Sequence, residues 1–87
     1  MVGNVENAIV AIIAEVSGFE ENEITPEKNF FKDLEVDSIK AIEITVAIEK
    51  NFKISVRDED VPKITTVKEA VELVNLLLIQ KKKQEVK

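Results

Sequence analysis

Apolar residues in this chain recur with helical spacing in three separate runs. Val5, Ile9, Ile12, Ile13 and Val16 form one face of a helix predicted from about Asn4 to Ser17. Asn4 is its expected cap and Ser17-Gly18 its expected stop, glycine suiting the left-handed position that ends many helices. Glu6 and Glu15 are placed toward solvent. The second run, Ser38 to Asn51 or Phe52, carries two apolar stripes when advanced at about 100° per residue. Ala41, Ile44, Ile48 and Phe52 make one. Ile39, Ile42 and Val46 make the other, on roughly the opposite side, flanked by Lys40, Glu43, Glu49 and Lys50. Buried lysine and glutamate are rare, so the charged flanks mark the second stripe as a docking surface. The alternative is that the preceding loop covers it. The third run opens with Thr66-Val67-Lys68-Glu69, the spacing of a capping box. It continues to Lys82, with Ala70, Val71, Val74, Leu77 and Leu78 facing inward.

The segments between these runs are read differently. Gly18 to Asp37 has no sustained period but carries Phe19, Ile24, Phe30, Phe31, Leu34 and Val36, which are expected to fill the core as the loop lies across the helices. A short turn is expected near Thr25-Pro26-Glu27. Phe52-Lys53-Ile54-Ser55-Val56 alternates like a strand but has no partner, so it is read as an extended connector dropping Ile54 and Val56 into the core. Arg57-Asp58-Glu59-Asp60 reads as the acidic start of a short helix ending near Pro62. The same acidic cluster lacks the ligand spacing of a calcium loop. Lys81 to Lys83 open a basic tail, residues 81–87, read as frayed and solvated. The expected fold is one all-α domain over residues 1–87. It is a four-helix bundle with three main helices, a short third helix and a long first loop, the helices spanning about 4–17, 38–52, 58–62 and 66–82.

Composition narrows the chemistry. The 87 residues include no cysteine, histidine, tryptophan or tyrosine. Disulfides and thiolate metal sites are excluded, and the commonest general base is missing. Any thiol chemistry must therefore come from an attached group. The net charge of −5 disfavours a nucleic-acid partner and favours an electropositive one. No run reaches the length of a membrane span, and the apolar stretch Ala8 to Ile13 lacks a basic leader, so membrane insertion is not expected and the reading is of a cytoplasmic monomer.

The candidate chemistry sits at Asp33-Leu34-Glu35-Val36-Asp37-Ser38-Ile39. Both Asp37 and Ser38 suit a helix start, and a phosphate ester on the Ser38 hydroxyl would lie in the favourable field of the first-turn amides. The plain alternative is that Ser38 only caps the helix.

Asp33-Leu34 followed by Asp37-Ser38-Ile39 resembles the Asp-Ser-Leu signature of acyl carrier proteins. The downstream runs Ala47-Ile48-Glu49, Phe52-Lys53-Ile54, Asp58-Glu59-Asp60 and Lys63-Ile64-Thr65-Thr66-Val67 are similar to the second half of a bacterial fatty-acid-type carrier. The resemblance covers about residues 4 to 79. It implies a non-catalytic protein to which a holo-carrier-protein synthase, a phosphopantetheinyl transferase, moves 4′-phosphopantetheine from coenzyme A onto Ser38. The arm's thiol would hold acyl groups as thioesters for acyl-transferring and ketosynthase-type enzymes of fatty acid, lipid or polyketide biosynthesis.

By the same resemblance Asp37 helps the transferase handle the phosphate and its magnesium. Ile39, Ile42, Glu43, Val46 and Glu49 meet partner enzymes, and some apolar positions line a pocket for the acyl chain. Glu35 stands where the family usually has glycine, so the loop is expected to differ locally. Ile39 replaces the signature leucine. Lys40 and Lys50 add positive charge to a helix whose partners are usually basic, which points to a specialised carrier. The competing class is a small helical interaction module with no prosthetic group.

Overall fold

The computed structural model describes the backbone of residues 2–85 and the side chains of residues 5–82. Three α-helices dominate: α1, Val2–Ser17; α2, Ser38–Phe52; and α3, Val67–Glu85. Two short 3-10 helices, Glu21–Glu23 and Asp58–Lys63, lie in the connections. The fold is all-α and acyl-carrier-like, with the expected short third helix taking 3-10 form. The acidic start at Asp58 to Asp60 is present, and the element ends at Lys63, one residue past Pro62.

Helix α1 packs against both α2 and α3. Its face of Val5, Ile9, Ile12 and Ile13 is buried and Val16 half-buried, so the spacing located the core side correctly. Glu15 is exposed, whereas Glu6 is half-buried. The predicted start needs correction: the helix begins at Val2, and Asn4 lies inside it, not at its cap. The stop is as expected. Gly18 has φ +85, and its N–H donates to the Ala14 carbonyl at 2.9 Å. At the other end of the chain, α3 continues through Glu85, so Lys81 to Lys83 belong to a helix and not to a frayed tail. Residues 86 and 87 lie outside the described residues.

The Gly18–Asp37 segment is anchored as its apolar content suggested. Ile24, Phe30, Leu34 and Val36 are buried and Phe19 half-buried. Phe31 departs from the expectation: it is 48% exposed. The segment is also stitched to the start of α3 through the backbone, by an isolated antiparallel bridge between Asn29 and Thr66. The N–H groups of Phe30, Val67 and Lys68 donate to the carbonyls of Thr65, Lys28 and Pro26 at 2.9, 3.1 and 2.9 Å. This satisfies polar groups that a long buried loop would otherwise leave unpaired. Pro26 and Glu27 form the expected turn, closed by Lys28 N–H on the Thr25 carbonyl at 3.0 Å.

Helix α3 starts on its capping box. Glu69 N–H donates to the Thr66 hydroxyl and Thr66 N–H to the Glu69 carboxylate, both at 3.2 Å. The Glu69 carboxylate also accepts from Thr65 N–H and the Thr65 hydroxyl, each at 2.8 Å. The connector after α2 alternates half-buried Phe52, Ile54 and Val56 with exposed Lys53, Ser55 and Arg57.

Candidate functional site

A tight turn delivers the chain to Ser38. The Asn29 side-chain oxygen accepts from the N–H groups of Phe31 and Lys32, both at 2.9 Å, and the Asp33 carboxylate accepts from Asn29 N–H at 2.8 Å. Leu34 and Val36 then plug into the core on either side of Glu35, which is exposed. Asparagine is well suited to this work, because its short amide reaches backbone donors two and three residues on. That signal was legible in the sequence, and Asn29 was not singled out.

Glu35 has φ +55, a conformation that glycine adopts readily and other residues rarely do. Glutamate therefore occupies a backbone that the glycine usual in the family would take more readily. The strain is held by Leu34 and Val36, which are 1% and 3% exposed.

Asp37 caps α2. Its backbone is extended, and its Oδ1 accepts from Lys40 N–H at 2.8 Å. Ser38 is the first residue of the helix, exposed, and among the described residues its hydroxyl enters no hydrogen bond. The reading in which Ser38 serves as the cap is therefore corrected, since Asp37 has that role. The first turn of α2 carries no acidic side chain, so beyond Asp37 nothing in it opposes a phosphate placed at Ser38.

The second stripe of α2 is open. Ile39, Ile42 and Val46 are 67%, 60% and 40% exposed, so the loop does not cover them. Glu43 is exposed beside them. Glu49 stands apart from this group. It is half-buried, and its Oε2 accepts from Val56 N–H at 2.8 Å, which pins the connector to the helix.

An apolar cavity of about 40 Å³ lies behind the site, between the loop, the inner face of α2 and α3. Its walls include Val36 and Ala41, which bracket Ser38 in sequence, and its edge includes the exposed Phe31. Thr45 is the polar exception in the α2 wall, and its hydroxyl is turned back onto the Ala41 carbonyl at 2.8 Å. Among the described residues, no group of three or more Asp or Glu converges as a metal site. No helix of the described residues is long and apolar enough to cross a membrane.

A helical bundle that presents one unengaged serine at the front of an internal helix has the architecture of a carrier domain. The family model for the phosphopantetheine attachment site matches residues 7–74, and the chain belongs to that family. It is a phosphopantetheine-carrier protein whose covalently attached prosthetic group is 4′-phosphopantetheine. Its partners include a phosphopantetheinyl transferase and, in general, acyl-processing enzymes.

Proposed function

We propose that Ser38 is the attachment residue, and that the protein carries acyl intermediates for enzymes of fatty acid, lipid or polyketide biosynthesis. The observation that carries this reading is the division of labour at the helix start. Asp37 holds the cap, so modification of the exposed Ser38 hydroxyl leaves the capping bond of α2 in place. The residues fit the group. A phosphate on Ser38 would lie close to the first-turn amides that Asp37 does not engage, in the positive end of the helix field. When bound, the arm supplies a thiol that holds the acyl group as a thioester, a group this cysteine-free sequence lacks.

The remaining roles fall to the chain's own side chains. Asp37 orients the first turn and, through its carboxylate, would help the transferase with the phosphate and its magnesium. Ile39, Ile42 and Val46 give partner enzymes an apolar contact, with Glu43 beside them; Glu49 reaches a partner only insofar as its carboxylate, engaged with Val56 N–H, stays half-exposed. The cavity behind Ser38 is the place for an acyl chain to fold back. At about 40 Å³ it is small beside an acyl chain, so entry of a chain requires its walls to part. Lys40 and Lys50 set the docking helix apart from an all-acidic one, which supports a specialised carrier over a housekeeping one. We read the protein as a non-catalytic cytoplasmic monomer.

Intact mass after incubation with coenzyme A and a phosphopantetheinyl transferase tests the attachment. The wild type should gain one phosphopantetheine and Ser38→Ala none. No gain in the wild type, or a gain retained in Ser38→Ala, would overturn the assignment.

A further inference from the structure

The charge of this protein is unevenly spread. Residues 1–49 hold eleven acidic and three basic side chains, whereas residues 50–87 hold six acidic and nine basic ones. The fold gathers part of that basic excess. Lys53, Arg57 and Lys81 line one open groove of about 500 Å³, between the connector after α2 and the C-terminal half of α3. Ile54 and Leu77, both half-buried, give it an apolar lining. Among the described residues Glu49 is the one carboxylate lining it, and that carboxylate already accepts the Val56 N–H. Arg57 also meets Glu59 at 3.1 Å, but both side chains are largely exposed, and such pairs hold weakly.

Favourable helix-end electrostatics explain a lysine in the last turn of α2, where Lys50 stands. They account for Lys53 at the helix end as well, but not for Arg57 of the connector and Lys81 of α3 converging on the same groove. Lys53 is placed there by a left-handed backbone, φ +57, at the end of α2. Ser38 and Lys53 mark the two ends of that helix, roughly 20 Å apart at a rise of 1.5 Å per residue. The Ser38 end has Asp33, Glu35 and Asp37, all exposed, and outnumbering Lys32 and Lys40 there. The far end has Lys50 on the surface, then the groove.

We propose that this groove binds an acidic, apolar-anchored segment of a partner protein. The docking face is thus electrically two-ended. A fitting partner carries basic groups at the mouth that receives the arm, and carboxylates roughly 20 Å away that reach Lys53 and Lys81. The arrangement fixes the direction in which the partner lies along α2 as well as its distance. This rests on the carrier reading for the identity of the partner, an enzyme that works on the arm, but not for the chemistry of the groove.

The probe is the end-blocked peptide acetyl-Glu-Leu-Glu-Glu-Leu-Glu-amide, titrated into the isotope-labelled full-length protein and followed by amide chemical shifts. Shifts should concentrate at Lys53 to Arg57 and at Lys81. Lys53→Glu combined with Lys81→Glu should weaken binding about tenfold or more, and the milder pair Lys53→Gln and Lys81→Gln by less. Shifts absent from these amides, or unaffected by both pairs, would overturn the proposal. Tighter, lysine-dependent binding to phosphatidylglycerol vesicles than to the peptide would overturn it in favour of a membrane occupant. Mass gain at Ser38 is measured on the same variants. Normal loading without groove binding sinks this proposal alone, whereas failure to load in the wild type sinks the carrier reading and leaves the groove result standing.

Discussion

Asp37 and Lys40 are joined by a 2.8 Å bond from the Lys40 backbone N–H to the Asp37 carboxylate, and that bond frees Ser38. Two adjacent residues able to cap a helix have divided the work, one closing the helix and the other facing solvent. The consequence is measurable. Asp37→Ala should lower stability by about 1 kcal/mol in denaturant unfolding, the usual loss for a cap. Ser38→Ala should change it by less than about 0.5 kcal/mol, as for a surface site without a partner. Equal losses would show that the serine also caps.

Glu35 and Gly18 offer a paired test of backbone strain. Both have positive φ, at +55 and +85. Glu35→Gly relieves a left-handed penalty of about 1–2 kcal/mol and gives back part of it through the more flexible unfolded chain. The expected net gain is about 0.5 kcal/mol. Gly18→Ala should lose about 1 kcal/mol although the space around it is open, because the conformation alone disfavours a side chain. Thermal and urea unfolding of the two variants should move in opposite directions.

The loop before Ser38 is as much a part of the core as the helices. Leu34 is 1% exposed, so Leu34→Ala should destabilise the protein by about 3 kcal/mol, within the usual range for a buried leucine. Phe31→Ala should lose much less, because almost half of that side chain already faces water. If the two losses are equal, Phe31 anchors the loop after all.

These positions also show what could be read from the sequence. The α1 face, the two stripes of α2 and the capping box of α3 were legible because a helix imposes a period on burial. The serine was legible because its neighbours match a carrier signature. The loop imposes no period, so its apolar residues looked alike. Nothing in Phe30-Phe31 says which ring goes inward. In the fold the Phe30 ring is buried and its N–H bonds the Thr65 carbonyl, a contact with a segment 35 residues away in sequence. Glu49 likewise looked like surface charge, and only the fold of the connector brings Val56 N–H to it. The cap of α1 was misplaced because Asn4 suits a cap, yet the chain before it is also helical.

That bond gives Glu49 a structural role that partner assays must be separated from. Glu49→Ala leaves the Val56 N–H without its acceptor and should lower stability by about 1 kcal/mol, with faster hydrogen exchange at Val56. Glu49→Gln keeps an acceptor and should restore most of both. A partner defect present in Glu49→Ala and rescued in Glu49→Gln would then be a defect of the connector. One that persists in Glu49→Gln belongs to the charge.

The start of α3 should be sensitive to acid. The Glu69 carboxyl is held below its ordinary pKa, first by the Thr65 N–H and then by the Thr65 hydroxyl; burial opposes them, and each Thr66 contact adds less than burial takes back. A carboxyl with a lowered folded-state pKa stabilises the fold fully above its unfolded pKa, and that contribution drains away as pH falls through the folded value. Stability should therefore decline below the ordinary glutamate range, in part because Thr65 and Thr66 lose an ionised acceptor. The same two residues hold the loop, through the Thr65 carbonyl and the bridge from Thr66 to Asn29, so the loop should loosen together with the helix start. Hydrogen exchange at Thr65, Thr66 and Phe30 should quicken together in acid. In Glu69→Gln, which has no charge to lose, protection of these amides should be lower at neutral pH and fall less steeply on acidification. An unchanged acid dependence in that variant would show that other carboxylates govern this end of the fold.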